Sequence, residues 1–175
     1  MKITGRNIKR RLYGLSQLPN NIKRARFWRG HGVHSPFVYK IVREVFMVST
    51  LKSNEETSLA RELHTIGIAK RRVIELQNLM EHCHYSTYGI DCALEQMEGK
   101  EMVIATLQCD NDTLKAMAEK ATELHTTLCI LSPSYDRNRN LACKAIVENH
   151  PCTSIDNRGY LLLFNNHLPK QVFEL

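Results

Sequence analysis

The chain has 175 residues, with 24 Lys and Arg against 18 Asp and Glu, a net charge of +6, and 43% hydrophobic residues. That length accommodates one compact domain with an appendage. No apolar run approaches the roughly 20 residues of a membrane span, and the basic N-terminus lacks the apolar core and small-residue cleavage site of a signal peptide, which argues against a membrane or secreted protein.

The six cysteines include no C-x-x-C pair, and several sit in apolar stretches such as Leu128-Cys129-Ile130-Leu131. They read as reduced thiols packed as small hydrophobes in a cytoplasmic protein. Charge is segregated. Residues 1–43 hold eleven Lys and Arg and no acid, whereas the rest of the chain holds 13 basic and 18 acidic groups. A basic head of this kind suits nucleic acid, an anionic surface, or the acidic body of the same chain.

In chain order, residues 1–54 read as a basic N-terminal helical arm and residues 55–175 as an α/β domain. Pro19-Asn20-Asn21 predicts a turn and residues 22–28 a short helix. Ser35-Pro36 is a helix start, with Ser as cap and Pro in the first turn. Phe37, Val38, Ile41, Val42, Val45 and Phe46 then recur at helical spacing, predicting a helix over 36–48. Asn54-Glu55-Glu56 opens a further helix with the apolar stripe Leu59, Leu63 and Ile66, ended by Gly67.

The pattern then changes. Short apolar runs predict strands at 72–76, 102–107 and 127–131. Helices are expected near 90–97, at 111–124 behind an Asp110 cap, and over 139–149 up to Pro151. Residues 153–155 and 160–164 flank Asp156-Asn157-Arg158-Gly159 as a hairpin, and 171–175 reads as a last edge strand. Strands alternating with helices imply a mostly parallel sheet covered on both faces, with the terminal hairpin adding antiparallel edges.

His31-Gly32-Val33-His34-Ser35-Pro36-Phe37-Val38, preceded by Arg26-Phe27-Trp28-Arg29, resembles the N-terminal segment of bacterial class I S-adenosylmethionine-dependent methyltransferase-like proteins. Residues 142–156 are similar to the last helix and sixth strand of that family's domain. Gly159-Tyr160-Leu161-Leu162-Leu163-Phe164 is similar to its seventh strand, and Lys170-Gln171-Val172-Phe173 to its closing segment. The resemblance implies a reduced Rossmann-like fold, with 72–76, 102–107 and 127–131 as first, fourth and fifth strands.

The resemblance also shows what is missing. Family members follow their first strand with Glu-Leu-Gly and further small residues, where a glycine turn lets the backbone approach the cofactor. Here the text is Glu75-Leu76-Gln77-Asn78-Leu79, with no glycine before Gly89. By position alone Glu75, Gln77 and Asn78 are the cofactor-binding candidates. Only 25 residues, 77–101, separate Leu76 from Met102, whereas each βαβ unit takes about 30, so the second and third strands have no room. The acids expected at the ends of the fourth and fifth strands are replaced by Thr106-Leu107-Gln108 and Ser132-Pro133-Ser134.

Elsewhere, His82-Cys83-His84 is the densest group of soft ligands, but no second cluster completes a four-ligand zinc site. His31 and His34 could bond a phosphate or fix an elbow that docks the following helix. Arg26, Trp28 and Arg29 could stack on bases or staple the arm to the domain.

The sequence therefore predicts a methyltransferase-like protein that has lost cofactor binding and catalysis and acts on a protein partner or as a homo-oligomer. The alternatives are an active methyltransferase with an atypical S-adenosylmethionine site, and nucleic-acid binding through residues 1–43.

Overall fold

A computed structural model describes residues 13–16, 18–25, 33–52 and 58–175. Helix α1 is Leu18–Ala25. Pro19-Asn20-Asn21, expected as a turn, lies in its opening turn, where proline's fixed φ and missing N–H are tolerated. Residues 26–28 of the expected helix, and the start of the one expected at 54–56, fall outside the described residues.

Helix α2, Pro36–Ile41, starts as the sequence predicts. The Ser35 hydroxyl accepts the Val38 N–H at 3.4 Å, and Pro36 occupies the first turn. It continues into a π-helical turn, Val42–Phe46. Val38, Ile41, Val42 and Val45 are all buried. Phe37 meets Phe164 edge-on at 5.0 Å, and Phe46 meets Tyr160 at 6.0 Å. This stretch, grouped with the arm on composition, therefore packs against the sheet. Helix α3, Ser58–Thr65, buries Leu59 and Leu63 and is followed by Gly67 at φ +83°. Ile66 is 48% exposed, one residue beyond the helix and off its buried stripe.

The largest departure from expectation is at 72–76. These residues are not a strand; they lie within helix α4, Lys70–His82. Periodicity cannot assign a five-residue apolar run by itself. Read onward through Leu79 and Met80, the pattern is helical: Val73, Leu76, Leu79 and Met80 are buried at helical spacing, and Arg71 and Arg72 pair with Glu75 four and three residues on. The expected helix near 90–97 is strand β1, Tyr88–Ile90, followed by a 3₁₀ turn, Leu94–Met97. The Gln96 side chain accepts the Ala93 N–H at 3.2 Å to start that turn.

The remainder follows the sequence closely. Strand β2 is Met102–Ala105, helix α5 Asn111–Glu123, strand β3 Thr127–Leu131 and helix α6 Arg137–Asn149. Asp110 caps α5 by accepting the Thr113 N–H at 2.8 Å, and Asp136 caps α6 through the Arg139 N–H at 2.8 Å. Strands β4 (Ser154–Asp156), β5 (Tyr160–Leu163) and β6 (Val172–Glu174) complete the sheet.

The six strands lie in the order β1-β2-β3-β5-β4-β6. Parallel pairing joins β1 to β2, β2 to β3 and β4 to β6, while β5 runs antiparallel to both β3 and β4. The fold is thus α/β with a mostly parallel sheet. The hairpin strand β5 is interior, not an edge: its Leu161 and Leu163 register with Ile130 and Leu128 of β3.

Alternate residues of each strand feed two cores. On one face Met102, Ile104, Cys129, Leu131, Tyr160 and Leu162 pack with α2, α3 and α4. On the other Val103, Ala105, Leu128, Ile130, Leu161 and Leu163 pack with α5 and α6. Burial on both sides explains why these strands read as unbroken apolar runs.

Candidate functional site

In open α/β sheets, ligands bind in the crevice beyond the carboxyl ends of the strands. Here β1, β2 and β3 deliver Asp91, Thr106 and Ser132 to that edge. The chain turns sharply at two of these, with Asp91 at φ 46° and Ser132 at φ 52°.

The crevice is filled by the protein's own side chains. The Asp91 carboxylate accepts the Thr106 N–H at 2.6 Å, the Thr106 hydroxyl at 2.6 Å and the Cys109 thiol at 3.1 Å. Arg139, in the first turn of α6 and 5% exposed, extends into the same space. Its guanidinium donates to the carbonyls of Thr106 and Cys109 at 2.8 Å and of Leu131 at 3.2 Å. It thereby ties together the carboxyl ends of β2 and β3 and the loop leading to α5. Burial and donation to Asp91 push the Cys109 thiol up to about 12, so it remains a protonated structural group without nucleophilic character.

Around the β4–β5 turn lies a second polar cluster. Glu75 is 1% exposed and accepts Arg71 Nε at 2.8 Å and an Arg72 N–H at 2.6 Å. Arg72 lies over the Tyr160 ring, 5.4 Å from its centroid, and against Gly159. Burial first, then the nearby Glu75 carboxylate, holds the Tyr160 phenol well above its ordinary range. This is a closed ion pair with an aromatic floor, and its carboxylate is already spent on two guanidinium groups.

Of the sequence-derived cofactor candidates, all three lie on α4 rather than at the end of a strand. Gln77 donates to Glu81 at 3.0 Å. Asn78 accepts the Lys52 N–H at 3.0 Å and donates to the Thr50 carbonyl at 2.9 Å, pinning the 50–52 loop to α4. Of the interaction candidates, His34 is exposed, while Arg26, Trp28, Arg29 and His31 lie outside the described residues.

The His82-Cys83-His84 run is split by the end of α4. His82 Nδ1 bonds the Glu44 carboxylate at 3.1 Å. Burial pushes the Cys83 thiol up to about 11, and His84 turns outward at φ 57°.

The arm also reaches the carboxyl edge. Arg24, with its side chain 12% exposed, pairs with Asp156 at the end of β4 at 3.0 Å and donates to its backbone carbonyl. The Tyr13 phenol is raised by partial burial and by Asp136 beside it, which places residues 13–16 near the start of α6. A groove of 440 Å³ lies between α5 and α6, lined by Lys115, Ala118, Glu119, Ala142, Ala145 and Ile146 among others.

Sequence reasoning missed Asp91, Thr106, Cys109 and Arg139. Nothing in the text marks Arg139, an ordinary-looking arginine in a polar helix. Asp91 carried a signal, an acid directly after Tyr88-Gly89-Ile90, hidden by reading that stretch as helical. No family model, curated protein or solved structure matches the chain.

Proposed function

We propose that the chain is a methyltransferase-like protein of reduced Rossmann-like form that does not bind S-adenosylmethionine and acts as a binding or assembly protein. The observation that carries this reading is the crevice beyond β1, β2 and β3, occupied by the Asp91 and Arg139 networks. A cofactor there would have to strip three carbonyls of their guanidinium partner, and a buried group that loses its partner costs about 1–3 kcal/mol.

Two further observations support it. The stretches matched to the family's fourth, fifth, sixth and seventh strands are all strands. The stretch matched to the cofactor-holding first strand is a helix, and its Gln77 and Asn78 are engaged elsewhere. The residues present do not fit the cofactor. The groove between α5 and α6 suits a role in binding.

The six cysteines are free thiols, which suits a reducing compartment such as the cytoplasm. Among the described residues no helix is long and apolar enough to cross a membrane.

Isothermal titration of the full chain with S-adenosylmethionine, and separately with its demethylated product, tests the proposal. No saturable heat is expected up to about 1 mM, the affinity of a binding free energy near −4 kcal/mol. Micromolar binding of either compound would overturn it in favour of a working methyltransferase.

A further inference from the structure

At the opposite edge of the sheet from the crevice, two loops meet. His125 lies between α5 and β3, and His167 lies between β5 and β6. Both adopt left-handed backbone conformations, at φ 56° and φ 61°, a region that His enters more readily than most residues; at His125 it ends α5, where the Thr126 N–H reaches back to the Ala121 carbonyl at 2.9 Å. The loops are locked together beneath them: Asn165, 4% exposed, donates to the Thr126 carbonyl at 2.7 Å. The two imidazoles are exposed, with ring centroids 4.8 Å apart and planes inclined at 46°. Among the described residues neither ring makes a hydrogen bond or ion pair.

We infer that His125 and His167 together form a binding site for a divalent first-row cation that favours imidazole, of the copper, nickel and zinc group. The spacing carries the inference. A metal–nitrogen bond of about 2.0–2.1 Å places a ring centroid about 3.2 Å from the ion, so two imidazoles at coordination angles of about 90–110° have centroids roughly 4.5–5.2 Å apart. The observed 4.8 Å falls inside that window. Neutral imidazole is the ligand these cations prefer among side chains without sulfur, and solvent access leaves the remaining positions to water. Bound there, the ion would bridge the α5–β3 junction to the β5–β6 loop. The site is independent of the crevice and of the function proposed above.

The full chain is titrated calorimetrically with copper sulfate and with zinc chloride at about pH 7.5, and the copper-loaded protein is read by electron paramagnetic resonance. One equivalent is expected to bind, with a signature of two nitrogen donors. His125→Asn and His167→Asn, chosen because Asn tolerates the left-handed region, should each weaken binding by about tenfold or more. His84→Asn should leave it unchanged. On the unaltered protein, zinc should shift the ring signals of His125 and His167 together in NMR spectra, whatever the variants' folding. One-equivalent binding that survives both Asn substitutions, or an affinity no tighter than about millimolar, overturns the inference.

Discussion

A methyl group placed on Gly159 would sit 2.0 Å from the Arg72 guanidinium. Arg72 is a flexible side chain, but it is held twice, by buried Glu75 and by the Tyr160 ring. Moving it leaves Glu75 with Arg71 alone, whose side chain is 74% exposed. Breaking a buried pair by removing one partner costs about 3–5 kcal/mol. Arg72→Met is therefore expected to destabilise by about 3 kcal/mol, and Gly159→Ala by about 2 kcal/mol, since Arg72 can reach partway back. Because both act on one contact, the double variant should cost well under the sum; urea unfolding of the three variants checks this, and full additivity would separate Gly159 from the ion pair. None of this was visible in the sequence, where Arg72 and Glu75 flanked an apolar run that looked like a strand. Their three-residue spacing has meaning only on a helix, and Gly159, far along the chain, reaches them only through the fold.

Elements with caps and sustained periodicity were legible. The Ser35-Pro36 start, the Asp110 cap of α5 and the apolar runs of β2 and β3 each carried a local physical signal that the fold obeys. Strand β1 and the Leu94–Met97 turn were not, because they are fixed by pairing and packing rather than by pattern. Helix α6 ends on a contact with a pH consequence. His150, 5% exposed, donates from Nε2 to the Phe164 carbonyl at 3.1 Å. Burial lowers its pKa below the ordinary 6.5, outweighing the hydrogen bonds that raise it. The unfolded chain therefore takes up a proton that the folded chain resists. Stability is full above about pH 6.5 and falls as pH drops below it. The melting temperature should decline between about pH 7 and pH 5, and His150→Gln should flatten that decline in calorimetric scans. An unchanged slope would assign the acid sensitivity to other groups.

Over the whole molecule, the α/β class and the covered sheet were legible from the alternation of elements, whereas strand order was not, since nothing local tells β5 to enter between β3 and β4. Nor could composition decide what the basic arm touches. Arg24 places at least α1 on its own domain, through Asp156. The pair is partly buried, its side chains 12% and 23% exposed, but it tethers only one eight-residue helix to the sheet. Arg24→Gln should thus leave global unfolding nearly unchanged while speeding amide hydrogen exchange within Leu18–Ala25; unchanged exchange there would mean that other contacts hold the helix. The reversed strand β5 has a consequence for how the molecule is made. As the chain is synthesised, β3 is complete before residues 132–159 and then β5 exist. Until β5 inserts, the flank of β3 is an open strand edge of buried-type residues, the kind that templates association between chains. Closing the central β3–β5 pair is a non-local step, slow by topology. The nascent protein is therefore most vulnerable to aggregation in the interval between its third and fifth strands.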